Sequence, residues 1–274
     1  MSEPESPTPE TAPAHAPPQE QKESPSVDES ARLGPLSRLT GTLLSPGETF
    51  ADINRKPTWI APLVIGIIAA VAFSLFYDWK VKPDYMAITR QQMKARAGTG
   101  EMPPEDRIEQ AANISSKISW VYAIIFPPIG VFFLSGVFAL GMLLMQAQTT
   151  FKKILSVVAW TSCAVGVVSV IVIVGSVMMR DNETLKDVPW YYASRYSATN
   201  LAAVLSSDTS AVVKAIAGAL DVFSIWRLVL LSIGFAAIAG SRKITIRKTG
   251  TLVVALWLIG VLISVGFAAM GFGG

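Results

Sequence analysis

One histidine and one cysteine are all that this chain of 274 residues offers in imidazole and thiol chemistry. His15 and Cys163 cannot assemble a zinc site, which takes three or four Cys, His or carboxylate ligands, and no histidine stands near a nucleophile to build a triad. A single thiol also excludes an intramolecular disulfide. Cys163 lies in an apolar run, the setting of a small buried residue. No GxxxxGK, HExxH or CxxC segment occurs, so phosphate-loop, zincin and dithiol chemistry find no footing. Intramembrane proteolysis would need paired aspartates on facing helices, a serine with a histidine, or a metal, and the sequence supplies none of these. The expectation is a protein without enzymatic activity, cofactor or metal. Charge is scarce as well: 16% of residues are Asp, Glu, Lys or Arg against 51% hydrophobic, and mean hydropathy is +0.45. That balance excludes an ordinary soluble domain and indicates a polytopic membrane protein.

What charge exists is unevenly placed. Residues 1–30 carry seven acids against one base, Lys22, within a net charge of +3 for the chain. Residues 1–34 are also rich in Pro, Ser, Thr and Ala, and offer too little apolar surface to offset the entropy of ordering. They read as a disordered tail, and the absence of an apolar stretch at the start argues against a signal peptide. The bases elsewhere sit beside apolar runs, where they read as membrane-flanking charges, so no nucleic-acid partner is expected.

Five apolar runs of spanning length follow, at 58–77, 119–146, 154–178, 222–240 and 250–270. Continuous runs this long mean helices, because only helices and closed barrels satisfy the backbone in lipid. The fold class is therefore all-α, a five-span transmembrane helical bundle. It divides into a tail (1–34), an amphipathic interfacial segment (35–57) and the bundle (58–274). Pro127–Pro128 should kink the second span.

Short loops set the orientation. Arg242, Lys243, Arg247 and Lys248 in 241–249, Lys152 and Lys153 in 147–153, and Arg55–Lys56 ahead of the first span have no acid among them. All three clusters share one side if the N-terminus is cytoplasmic and the C-terminus outside. The loop at 78–118 is less one-sided, with seven bases diluted by six acids. Small residues recur every four positions at Gly66–Ala70–Ser74 and Gly260–Ser264–Ala268, which reads either as close packing within the bundle or as a homo-oligomer seam.

Three local signals carry more. In LSPGETFADI (44–53), Ser45 is an N-cap, Pro46 suits the first helical position and Glu48 can close a capping box. Phe50 and Ile53 share a face there, as do Leu36, Leu39, Leu43 and Leu44 upstream. This segment either lies on the membrane, with Arg38, Arg55 and Lys56 at the headgroups, or docks against the bundle. In DTSAVVKAIAGAL (208–220), Asp208 heads a helix expected to run straight into the fourth span. That span opens with LDVFSIWRLVLL (220–231), where Asp221 sits at the outer end and Arg227 about 9 Å deeper by helix rise. Helical side chains lean toward the N-terminus, so Arg227 reaches back toward Asp221, directly or through Ser224. The favoured reading is a structurally coupled pair, a snorkelling arginine with an interfacial carboxylate, and the alternative is a substrate or proton pathway.

LDVFSIW (220–226) resembles the Asp-x-Phe-x-x-Trp signature of Yip-domain membrane proteins, the Ypt/Rab-interacting family, through Asp221, Phe223 and Trp226. SPGETFADINRKPTWIAPLVI (45–65), TFKKILSVVAW (150–160) and TNLAAVL (199–205) are similar to further family segments, and together they cover most of 40–270. The resemblance implies five helices, a cytoplasmic N-terminus and a role in membrane organisation, trafficking or partner recruitment. Eukaryotic relatives engage small GTPases and one another, while the likeness to bacterial forms places this chain in a bacterial plasma membrane. The competing expectation from the residues is a small-solute permease or permease subunit, with Pro127–Pro128, Gly130, Arg227 and Thr161–Ser162–Cys163 as its candidate polar or broken-helix positions.

Overall fold

The computed structural model describes residues 33–97, 100–197, 199–206 and 209–269. The tail up to Arg32 and the expected cap Asp208 lie outside the described residues. Among them the chain forms nine α-helices: α1 (Pro35–Leu44), α2 (Pro46–Arg55), α3 (Ile60–Val81), α4 (Tyr85–Ala97), α5 (Glu105–Leu144), α6 (Phe151–Met179), α7 (Ala211–Ala219), α8 (Val222–Ile238) and α9 (Ile246–Ala269). Three 3-10 turns lie between α6 and α7, and the only β pairing among the described residues is an isolated bridge. The protein is an all-α membrane bundle.

Helix α6 is its centre. Residues Ile154 to Thr161 are all buried, so the whole circumference of its second and third turns is covered by neighbours, the property of a helix apolar on every side. It packs on α3, α5 and α8. Phe138 and Met142 of α5, Trp160 of α6, Phe235 and Ile238 of α8 and Val253 of α9 form the main core, which Phe50 and Ile53 of α2 join from one end. A second cluster of Phe73, Tyr77, Ile173, Val177 and Leu185 closes the opposite end.

Helices α3, α5, α6 and α9 are long and apolar enough to cross a membrane, whereas α8 has 17 residues, about 25 Å and at the short limit for a span. Its contacts show that it nevertheless runs from one end of the bundle to the other. At its start, Val222 N–H donates to Thr199 O, beside the turns after α6. At its finish, Asn54 Nδ2 of α2 donates to Ala237 O (3.1 Å), and Gln148 N–H after α5 donates to Ala239 O (2.9 Å). The turns after α5 and α8 thus sit together, with α2 beside them. The basic clusters at 55–56, 147–153 and 241–249 occupy one end of the molecule.

Several expectations change. The 78–118 segment holds α4 and the first turns of α5, with Asp84 Oδ1 capping α4 through the amides of Met86 and Ala87. Its opposite charges sit within reach of each other, as in the Arg90–Glu105 pair. Helix α5 runs from Glu105 to Leu144 with Pro127 and Pro128 inside it, where neither ring nitrogen can donate to the carbonyl four residues back. Helix α7 does not run straight into α8. Its cap is Ser210, which accepts from Val213 N–H, and the helix stops at Leu220, where Asp221 is extended (φ −120°, ψ 144°). Beside Gly66 and Gly260 an added Cβ would meet nothing within 4 Å, so close helix approach does not occur there. It occurs at Gly141, against Leu252, and at Gly234, against Val157 and Phe50.

Candidate functional site

At the basic end, α1 and α2 fold back onto the bundle. Helix α2 begins at Pro46 as its sequence dictates, yet Ser45 makes no side-chain cap and Glu48 is exposed. Ser45 has φ −138° and ψ 59°, outside the extended region from which a capping hydroxyl reaches forward, and its carbonyl instead accepts from the Thr49 amide (3.1 Å) and hydroxyl (3.1 Å). Phe50 and Ile53 are fully buried, each contributing about 1.5–3 kcal/mol relative to exposure.

Arg38 does not reach the headgroups. It is 3% exposed and points into the junction, where Nε and Nη2 donate to Asp52 Oδ2 (2.8 and 2.7 Å) and Nη1 donates to Thr58 Oγ1 (2.6 Å). Thr58 O accepts from Trp160 Nε1 at 2.8 Å. One continuous network therefore ties α1 both to α2 and to Thr58 just ahead of α3, and Thr58 to the central helix. Burying a charge pair is unfavourable unless every group is satisfied, and this one is well supplied. The sequence reading missed Asp52, Thr58 and Trp160. The available signal was that Asp52 shares its helix face with Thr49 and Ile53, an acid on the apolar side. With Arg38 turned inward, the outer face of α1 presents Leu36 (74% exposed) and Leu44 (82%) together with the exposed Ser37 and Thr40.

The opposite end is built from side chains meeting loop backbone. Tyr77 OH donates to Val188 O (3.0 Å), and Trp190 Nε1 donates to Ser119 O (3.2 Å). Asp78 accepts from Tyr85 OH (2.7 Å) and Ser119 Oγ (2.8 Å). Burial raises the Tyr85 phenol well above its ordinary range, so it remains a neutral donor to that carboxylate. Tyr122, Trp190, Tyr191 and Tyr192 stack edge-on around this point.

Asp221 lies at the same end and serves as the N-cap of α8, its Oδ1 accepting from Phe223 N–H at 2.8 Å. Asn200 pairs with it across the isolated bridge and caps its own turn through Ala202 N–H (2.9 Å). Phe223 packs on the main core, whereas Trp226 is 41% exposed. Among the described residues no ion pair joins Asp221 to Arg227, which is half-buried with its Nε shielded and without a hydrogen-bond partner. The structure thus brings Asp221 and Phe223 into the frame of the fold, while Arg227 feels the Asp221 charge through space without an ion pair to it. It does not bring Ser45 and Glu48 near them.

A groove of about 180 Å³ lies between α3, α5 and α6, lined by Gly66, Ala70, Pro127, Ser162, Cys163 and Gly166 among others. Arg227 is not part of it. Among the described residues no group of three or more His, Cys, Asp or Glu is placed to hold a metal ion.

The segments that resemble family members thus fall into two places: 45–65 and 150–160 meet at the Thr58–Trp160 bond, and 199–205 and 220–226 meet at the Asn200–Asp221 bridge. The family model described as Yip1 domain matches residues 40–268. The membrane protein YknW of Bacillus subtilis (strain 168) is 25% identical over 225 residues, covering 82% of this chain and 86% of that protein. No solved structure matches.

Proposed function

The chain belongs to the Yip1 domain family, and on that footing we propose that it is a non-enzymatic protein that organises the membrane or recruits partners to it, seated in a bacterial plasma membrane. The observation that carries this reading is the basic end. There the outward leucines of α1 stand on a rigid platform beside the cationic turns, a surface suited to headgroups or to a partner's apolar face. Short basic turns are retained in the cytoplasm, which makes this the cytoplasmic end and puts the C-terminus outside. The acidic, proline-rich tail is suited to weak partner contacts. Candidate partners are small GTPase-like or other membrane proteins, or a second copy of the chain.

A small-solute permease is the second reading, and the groove that joins Pro127 to Ser162 favours it. Against it, the lining is apolar apart from Ser162 and Cys163 and offers little to replace a solute's hydration. A reporter active only outside the cytoplasm, fused to the C-terminus, is expected to be active, and an inactive reporter in an inserted fusion reverses the orientation. Crosslinking pull-down from native membranes is expected to recover a specific protein with the intact chain and to lose it with Leu36→Glu/Leu44→Glu. Solute flux in liposomes that disappears with Ser162→Leu would replace this reading with the permease.

A further inference from the structure

The groove between α3, α5 and α6 is made by small residues. An added Cβ at Gly66 or Gly166 would meet nothing within 4 Å, so these glycines open space where a larger residue would fill it. Its position follows from the Thr58–Trp160 bond, which sets residues 159–162 of α6 level with the start of α3. From there the lining runs from Ala159 to Val170, about 16 Å along the helix. It thus begins about 12 Å inside the basic end of α6 and runs past the middle of that helix, parallel to the spans. At about 180 Å³ it exceeds the roughly 150 Å³ apolar cavity that stays dry and takes benzene. Every lining residue belongs to a membrane-spanning helix, so hydrocarbon chains are what surrounds its mouth. Such a space, left unfilled, forfeits dispersion contacts along its walls.

We propose that this groove holds one acyl chain of a bilayer phospholipid, enclosed by three helices. The chain lies along Gly66–Ala70 and Ser162–Val170, with Pro127 as its third wall. The proposal goes beyond the partner-recruiting function and stands apart from it, because its readout involves neither orientation nor partner.

The test uses the full-length protein in phosphatidylcholine nanodiscs doped with a phosphatidylcholine that carries a photoactivatable diazirine on one acyl chain. After irradiation, mapped label is expected at Gly66–Ala70 and Ser162–Val170 several-fold above the lipid-facing Leu258–Phe267 surface of α9. It is expected to fall to the α9 level in Gly66→Leu and Gly166→Leu. Equal labelling of groove and α9 in the unaltered protein overturns the proposal without need of a variant, and so does labelling that both variants leave unchanged. Intermolecular Cys163–Cys163 disulfides on oxidation would place a second copy in the groove and overturn it. Labelling by a free photoactivatable short alkane that the phospholipid probe fails to reproduce would assign the space to a small apolar molecule, again overturning it.

Discussion

The two ends of this bundle are held by different means. At the basic end, long side chains reach across elements and finish inside the protein: Arg38 to Asp52 and Thr58, Trp160 to Thr58, Asn54 to Ala237. At the other end, the reaches of Tyr77 to Val188 and Trp190 to Ser119 join local caps, a single bridge and an aromatic cluster, and the ion pairs described there are exposed. The first arrangement fails as a unit when one member is removed, because a buried charge is left without its partner. The second is a series of smaller contributions, and each can be lost separately.

The largest expected effect tests the first of these. Asp52→Ala strands Arg38 and should destabilise the protein by about 3–5 kcal/mol, read as thermal unfolding in detergent. Arg38→Met with Asp52→Leu should recover most of that loss. A single mutant within error of the unaltered protein would mean the pair is solvated in the native state. Next comes Gly240, the one described glycine at positive φ (68°), whose added Cβ would fall 2.4 Å from Gln148 O. Gly240→Ala should cost about 1–3 kcal/mol. It should also loosen the two basic turns from each other, which faster hydrogen exchange at the Gln148 amide would report.

The smallest effects belong to the far end. Asp221→Ala removes the cap of α8 and should cost about 1 kcal/mol, while Asp221→Asn keeps the acceptor and most of the stability. Arg227→Leu should change stability little. The double mutant should depart little from additivity, because no ion pair joins the two side chains among the described residues and Asp221 acts on Arg227 only through space. A strong coupling would restore the paired reading and make the two ends more alike than their contacts suggest.

How much was legible follows the same division. The spans were readable because a run of apolar residues has one solution in lipid, and α3, α6, α8 and α9 lie close to the runs that announced them. Helix α5 exceeded its run because Glu105 to Ile118 is polar, and hydropathy alone cannot tell a polar helix from a loop. The Arg38–Asp52 pair was hidden for a related reason. In sequence a base before a span reads as a headgroup ligand, and only the fold-back of α1 over α2 turns it inward. Asp221 stands out in the sequence for its charge, and its role as a cap follows from α7 ending at Ala219, two residues earlier. The groove was foreshadowed by the small-residue spacing at Gly66–Ala70, but that spacing suggested contact and the structure opened space there instead.

Helix α5 has one more consequence. Its first turns, Glu105 to Ile118, extend about 21 Å beyond its apolar stretch, with α4 packed along them. The two helices form a post at that end of the bundle. It sets a stand-off height there, so anything of a size to span it meets α4 and α5 before it meets lipid.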